Sequence, residues 1–148
     1  MRWKLHPFVW VLVGFVLMLC ISLPFAAPSK LVIRSVAKDE VSAMMGHNRS
    51  FFLQVSKKGC VYCEALRELE ERSDRLDGAV VYEVELPETP SERDRQWLDE
   101  TLPHFDYFPA LFIVGGDEIA CVDVNDLSEF DEKVVPEIIG VNGGNHEG

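Results

Sequence analysis

The apolar positions of the chain repeat with two different spacings, which predict an alternation of strands and helices. Short, nearly continuous apolar runs indicate buried strands, whereas apolar residues three or four positions apart indicate helices. The runs predict strands over residues 31–34, 50–55, 79–86, 108–114 and 118–124. The helical spacing predicts helices over residues 37–45, 60–76, 89–102 and 126–138.

The order β-α-β-α-β-α-β-β-α predicts an α/β fold with a mixed central sheet of about five strands and helices on both faces. We expect the first three strands to run parallel, because helices connect them. The last two are separated by Gly115-Gly116-Asp117 and should form an antiparallel hairpin. The run over residues 50–55 is apolar on both faces, which favours a central strand.

Local patterns also predict how two helices begin and what their surfaces carry. Residues 89–92 have the sequence TPSE, which predicts a capping box with proline at the first helical position. In the second helix, Glu68 with Arg72 and Glu71 with Arg75 are four residues apart and predict exposed ion pairs.

The chain begins with a basic, then apolar, segment. Arg2 and Lys4 precede a run from Phe8 to Leu23 that contains no charged residue. This predicts that residues 1–27 are a signal peptide or an N-terminal membrane anchor, and both interpretations stay open. Either would place the rest of the chain outside the cytosol, periplasmic or secreted. We expect residues 28–140 to form one domain and residues 141–148 a disordered tail.

The composition is acidic and excludes some classes of partner. The formal net charge is −11, and because Arg2 and Lys4 of the leader contribute +2, the remainder carries −13. This charge argues against binding to nucleic acid or to an anionic membrane surface. Hydrophobic residues make up 47% of the chain, enough for a real core. We expect a monomeric soluble domain.

Two cysteines in a CxxC pattern open the second helix directly after the central strand. Cys60 and Cys63 are three residues apart, so on a helix they share a face and their sulfurs can bond. The first helical turn and the upstream Lys57 and Lys58 favour a thiolate at Cys60. We therefore predict that Cys60 is the exposed nucleophile and that Cys63 is the resolving thiol.

Two other interpretations of the pair remain open. A structural zinc site needs four ligands, and Cys121, His47 and His104 are scattered singly along the chain, so we predict no metal. An inert structural disulfide would stabilise little, because the loop it closes is short. Cys121 is the odd cysteine of the domain, and we expect it to be a buried strand thiol.

The chain resembles the thioredoxin family over roughly residues 31–140. The likeness is carried by Cys60-Val61-Tyr62-Cys63 after the second strand and by Phe108-Pro109-Ala110 before the fourth. The resemblance implies a thioredoxin-like fold in which Pro109 has a cis peptide bond and packs beside the cysteines. It also implies that Phe108, Pro109, Val61 and Tyr62 contact the substrate.

The chain departs from that family at several positions. Thioredoxins have tryptophan before the first cysteine and Gly-Pro between the pair, whereas this chain has Gly59 and Val61-Tyr62. The family carries a buried carboxylate six residues before the first cysteine, where Gln54 stands here. A neutral amide cannot act as a general base, so either resolution by Cys63 is slower, or water or Glu85 serves instead.

A Cys-x-Tyr-Cys pattern also resembles glutaredoxins. Their glycine pair that seats glutathione would fall near Ala120-Cys121 and is missing.

These observations predict an extracytoplasmic thiol–disulfide oxidoreductase that acts on protein thiols and disulfides without a cofactor. Electrons would come from, or go to, a membrane redox protein. The alternative is a non-catalytic binding or accessory module on the same scaffold, and a weaker one is a metal carrier. The sequence leaves the redox direction undetermined, since that depends on the reduction potential.

Overall fold

A computed structural model describes residues 30–47, 49–116, 118–124 and 126–144 of the chain. The predicted leader, residues 1–27, lies outside the described residues. The strands are β1 (Val32–Ser35), β2 (Phe51–Lys57), β3 (Val80–Leu86), β4 (Ala110–Gly115) and β5 (Glu118–Val122). The α-helices are α1 (Lys38–Gly46), α2 (Val61–Arg72), α3 (Glu92–Thr101) and α4 (Val135–Gly144). In this described part, no helix has both the length and the apolar character needed to span a bilayer.

The five strands form one mixed sheet in the order β1-β3-β2-β4-β5. Strands β1 and β2 both pair with β3 in parallel, whereas β4 pairs antiparallel with β2 and with β5. The predicted parallel strands and terminal hairpin are therefore confirmed. Strand β2 is buried from Phe51 to Ser56, as expected for a central strand covered on both faces.

The helices cover both faces of the sheet, which confirms the predicted fold class. Because successive side chains of a strand point to opposite faces, Phe51, Leu53 and Val55 of β2 enter one core and Phe52 enters the other. The first core is completed by α1 and α3, and the second by α2 and α4. Burial of each such aliphatic or aromatic side chain contributes roughly 1.5–3 kcal/mol.

Helix α2 is shorter than predicted. It ends at Arg72, where Ser73 is extended, and a separate 3-10 turn covers Asp74–Leu76. The tighter turn delivers Leu76 into the core, where it is fully buried. The predicted pair of Glu68 with Arg72 forms at 2.8 Å. Arg75 lies outside the helix, and its charged partner is Asp131 at 3.9 Å instead of the predicted Glu71.

The capping box of α3 lies two residues later than predicted. Ser91, not Thr89, is the cap: its hydroxyl oxygen accepts a bond from the Asp94 N–H at 3.2 Å, and Asp94 accepts one from the Ser91 N–H at 2.7 Å. Asp94 also forms an ion pair with Lys38 of α1. Lys38 and Ser91 together lower the pKa of Asp94 to about 2. The same carboxylate therefore starts α3 and ties it to α1.

The C-terminal helix extends beyond the predicted end of the domain. Asp126 caps a 3-10 turn over Leu127–Glu129, a π-helical turn follows, and α4 then continues to Gly144. Residues 141–144 are thus helical and not part of a tail, while residues 145–148 lie outside the described residues. Asn142 fixes this end, because its side chain accepts from the Val80 N–H at 2.9 Å and donates to the Val80 oxygen at 3.2 Å.

The two bonds of Asn142 predict a stability effect. Replacing Asn142 by Ala leaves the backbone groups of Val80 without these partners, and we expect the free energy of unfolding to fall by about 1–3 kcal/mol. Urea unfolding followed by circular dichroism measures this difference. Glu137→Ala, an exposed change on the same helix, is the matched control. Equal unfolding midpoints for the two variants would show that Asn142 does not anchor α4.

Candidate active site

Cys60 and Cys63 meet at the start of α2 and are joined by a disulfide bond. Cys60 is the residue that caps the helix, and its Sγ accepts a bond from the Cys63 N–H at 3.2 Å. The two Cα atoms are 5.3 Å apart. Cys60 is half-buried, whereas Cys63 is only 5% exposed and lies against the sheet. The structure thus gives the two sulfurs different exposure, while their predicted roles as nucleophile and resolving thiol stay predictions.

Gly59 shapes the turn that delivers Cys60 to the helix. Its φ is +70°, a left-handed conformation that side chains with a Cβ rarely adopt. A tryptophan at this position, as in thioredoxins, would be strained in this turn. The departure from the family pattern at Gly59 therefore has a backbone cause.

The peptide bond between Phe108 and Pro109 is cis, as the resemblance implied. It lies directly before β4, which pairs with the central strand β2. The carbonyl oxygen of Phe108 is 3.7 Å from Sγ of Cys60, so this turn and the CxxC face each other. Nζ of Lys57 lies 5.7 Å from the centre of the Phe108 ring, within reach of a cation–π contact.

A groove of about 320 Å³ runs beside the cysteines. Its lining includes Tyr62 of α2, Phe108 and Pro109 of the cis-proline turn, and Asp126 and Leu127. A cavity of about 460 Å³ lies at the opposite ends of β2 and β3, and none of the predicted site residues lines it. The groove, in contrast, is lined by three of the predicted contact residues, Tyr62, Phe108 and Pro109.

Exposed apolar side chains gather around this groove. Val61 is 75% exposed and Tyr62 is 68% exposed. Tyr107 is also exposed, and its hydroxyl donates to Asp123 at 2.9 Å, which holds the ring at the edge of the groove. Among the described residues, Val32 and Ile139 are the other large apolar side chains with such exposure. The predicted contact residues Val61, Tyr62, Phe108 and Pro109 are thus brought together at one surface.

Gln54 is fully buried, and its neighbour is a carboxylate that sequence reasoning missed. In the sheet, Gln54 of β2 is paired with Glu83 of β3, and its Nε2 donates to Glu83 Oε1 at 3.3 Å. Glu83 is 5% exposed and also accepts from Ser56 at 2.7 Å. Nη2 of Arg67 lies 2.8 Å from each of its oxygens. Glu85, which the sequence suggested as one substitute for the missing base besides water, is exposed.

A second buried acid lies on α2. Glu70 is fully buried, and both of its carboxyl oxygens lack a hydrogen-bond partner in the part of the chain that the structure describes. Burial raises the pKa of Glu70 to about 8, the nearby Glu83 adds to the rise, and Arg67 opposes it. Glu70 is therefore a neutral acid at pH 7, within a helix whose other acidic residues are largely solvated.

Cys121 does not join the site. It lies on β5 and is exposed, so the expectation of a buried thiol is wrong. The reason is that β5 is an edge strand with a mixed, largely open surface. Partial desolvation and the neighbouring Asp123 raise the pKa of this thiol. Among the described residues, no three His, Cys, Asp or Glu side chains are grouped so as to hold a metal ion.

Comparison with known proteins gives a likeness in structure alone. No protein-family model matches the chain, and no curated protein matches it in sequence. A solved structure to which it is similar is the J-Trx1 fragment of ERdj5, with 19% sequence identity and a TM-score of 0.44. That alignment covers 63% of this chain and 44% of the fragment, so the chain spans less than half of its length.

The assignment of the fold rests on the geometry of this chain itself. The sheet has the order β1-β3-β2-β4-β5, and β4 runs antiparallel to both of its neighbours, β2 and β5. Helices cover both faces of this sheet. A CxxC disulfide opens the helix after the central strand, and a cis-proline precedes β4 beside it. The chain is thioredoxin-like, both in its fold and in its CxxC pair.

Proposed function

We propose that the chain is a thiol–disulfide oxidoreductase that exchanges disulfides with polypeptides outside the cytosol. The observation that carries this proposal is the position of the cysteine pair. Cys60 caps α2 and its Sγ lies 3.7 Å from the oxygen of Phe108, a residue that lines an open groove, while the less exposed Cys63 is bonded to Cys60. A disulfide that only stabilised the fold would need neither the groove nor this difference in exposure.

The chemistry follows from the two environments. The Cys63 N–H, which donates to Sγ of Cys60, the positive end of the helix dipole and the charges of Lys57 and Lys58 favour the thiolate of Cys60 over the thiol. The thiolate attacks a substrate disulfide, one substrate sulfur leaves as a thiolate, and a mixed disulfide forms on Cys60. Cys63 then attacks Sγ of Cys60, which releases the second substrate thiol and leaves the Cys60–Cys63 disulfide. The reverse sequence oxidises a substrate dithiol.

The groove favours an extended polypeptide as the substrate. Tyr62 and Tyr107 present aromatic surface next to Cys60, and such residues contribute strongly when they are covered at an interface. The groove has room for a bulky apolar side chain close to the substrate cysteine. Asp126 at its edge would favour a neutral or basic neighbour over an acidic one.

The location and the electron supply belong to the same proposal. The basic and apolar character of residues 1–27 supports export or anchoring, and the oxidising compartment outside the cytosol allows the disulfide to persist. A membrane redox protein would then reduce or oxidise the Cys60–Cys63 pair. The second candidate is a non-catalytic binding module with the same groove, which the neutral Gln54 favours because it supplies no base.

Insulin reduction by dithiothreitol separates the two candidates. We expect the full chain, purified in a mild detergent, to accelerate precipitation of the insulin B chain, because Cys60 shuttles electrons to the insulin disulfides. Cys60→Ser should return the rate to that of dithiothreitol alone, and the control Cys121→Ser should keep the full rate. A wild-type chain that leaves the rate unchanged would identify the binding module.

The role of the groove is tested by a change at Tyr62. We expect Tyr62→Ala to raise KM for a polypeptide disulfide by about 5–30-fold, the equivalent of roughly 1–2 kcal/mol at a covered aromatic side chain. A small aromatic disulfide that does not fill the groove should react at an unchanged rate. Ile139→Ala, an exposed apolar change on α4, is the control. Equal losses with both substrates would show that Tyr62 supports the cysteines and not the substrate.

A further inference from the structure

A cluster of polar side chains is buried between α2 and the sheet, where the family pattern has a single carboxylate. We call it the acid cluster, and its members are Gln54, Ser56, Arg67, Glu70 and Glu83. Four of them are almost completely buried, and Arg67 reaches from the cluster to the surface. Buried polar groups normally cost stability unless their bonds are satisfied, so a cluster of this kind needs a reason.

The acid cluster lies on the side of α2 that carries Cys63. Residues at positions i, i+4 and i+7 share one face of a helix, and Cys63, Arg67 and Glu70 have this spacing. Arg67 is one turn below Cys63, about 6 Å along the axis. Strand alternation puts Gln54 and Ser56 on the same side of the sheet as Phe52, which packs with the α2 core.

Within the cluster, Glu83 is the shared acceptor of three neighbouring side chains. One of its oxygens accepts from Ser56 and Gln54, and Arg67 donates to both oxygens. The bond from Ser56 draws the carboxylate toward the end of β2 that leads to the cysteines. Gln54 therefore acts as a donor that holds a carboxylate on the neighbouring strand, instead of being the carboxylate itself.

We propose that Glu83 accepts the proton of Cys63 in the step that resolves the mixed disulfide. This inference rests on the proposed function. The S–H bond of Cys63 breaks and its proton passes to Glu83, while Sγ of Cys63 bonds to Sγ of Cys60. The bond between Cys60 and the substrate sulfur breaks, and the substrate leaves as a thiolate that takes up a proton. Glu83 returns its proton to solvent before the next cycle.

The charges that face Glu83 make this role compatible with burial. Arg67 and Glu70 face it from α2, and Gln54 and Ser56 face it from β2; Glu71 and Glu85 are the outlying acids of the same surroundings. With Glu70 neutral at pH 7, the cluster holds one cation and one anion. A proton that passes from Cys63 to Glu83 leaves the charge of Arg67 without its anion, and solvent can screen this charge because the Arg67 side chain reaches the surface. Above about pH 8, ionised Glu70 adds a negative charge that strengthens Glu83 as an acceptor.

A purely electrostatic role would have the opposite sign. A fixed negative charge beneath Cys63 disfavours its thiolate, so removal of that charge would speed the resolving step at neutral pH. Removal of a proton acceptor slows the step. The rate of the resolving step in Glu83→Gln therefore separates the two roles. A slower step indicates a proton acceptor, and a faster step indicates a purely electrostatic role. The variant keeps the shape of the side chain.

The test follows the two steps separately with 5,5′-dithiobis(2-nitrobenzoate). The full chain carries Cys20→Ser and Cys121→Ser, is reduced, and is mixed with one equivalent of the reagent at pH 7. Cys60 releases the first thionitrobenzoate, and Cys63 releases the second when it resolves the mixed disulfide. We expect Glu83→Gln to slow the second release by at least about 10-fold and to leave the first unchanged. Glu85→Gln, the exposed acid of the same strand, should leave both unchanged.

A second variant keeps Glu83 in place. For the wild type, we expect the pH profile of the second release to contain two ionisations, one of them near pH 8 from Glu70. Glu70→Gln should leave one. This measurement also decides the question if Glu83→Gln fails to fold, because an unaltered profile in Glu70→Gln would show that the acid cluster does not act on Cys63.

The outcomes for the two proposals are distinguishable. Absence of the first release in the parent chain would contradict the proposed function. A normal first release with an equal or faster second release in Glu83→Gln would overturn the role of Glu83 and leave the oxidoreductase intact. If Glu83→Gln slows the second release but keeps the pH profile of the parent chain, Glu83 only supports the fold, and the inference is also overturned.

Discussion

The position at which α2 begins relative to the central strand is the constraint on which the rest of the structure depends. Strand β2 is covered on both faces. A shift of its register by one residue would move Phe51 and Phe52 each to the opposite face of the sheet. Its end is fixed by the bond from the Lys58 N–H to the Leu86 oxygen at 2.9 Å. Gly59, in a left-handed conformation, then turns the chain so that Cys60 becomes the N-terminal cap of α2.

The same constraint brings the cis-proline turn to the cysteines. Strand β4 pairs with β2 in a fixed antiparallel register, in which Ala110 lies opposite Val55. The residues just before Ala110 must therefore lie near the residues that follow Lys57. The contact between the Phe108 oxygen and Sγ of Cys60 is thus a consequence of strand pairing. The backbone pairing therefore sets the positions of the residues that line the groove, and their side chains determine only which groups it presents.

The strands and helices with a strong periodic pattern were predictable from the sequence. Burial that depends on packing between distant elements was not. The apolar run of β2, the Gly-rich hairpin and the CxxC each carry a local signal, and the alternation of strands and helices predicts which strands run parallel. The lateral order of all five strands is known only from the fold. Glu83 gave no such signal, because its alternation with Glu85 is also that of a solvent-facing strand. Only the pairing of Gln54 with Glu83 beneath α2 distinguishes the two acids, and pairing is a property of the folded sheet.

The predicted end of α2 and the predicted start of α3 were wrong for a related reason. The acidic and leucine spacing of α2 continues through Leu76, so sequence alone predicts a longer helix. In the fold, the extended Ser73 and the 3-10 turn place Leu76 in the core, and burial outweighs helical continuity. At α3, both Thr89 and Ser91 are able to cap a helix, and the ion pair of Asp94 with Lys38 selects Ser91 by tying the first turn to α1.

The reaction that we propose would use the different surroundings of the two cysteines. Cys60 is half-buried at the cap of α2, where the helix N-terminus and the nearby lysines would favour a thiolate. Cys63 is buried, and burial disfavours its thiolate. A buried Glu70 that has no hydrogen-bond partner among the described residues adds nothing to stability, and a well-packed apolar side chain would serve the core better. An acid cluster at this place is therefore more readily understood as part of the proton chemistry of Cys63 than as part of the support for the fold.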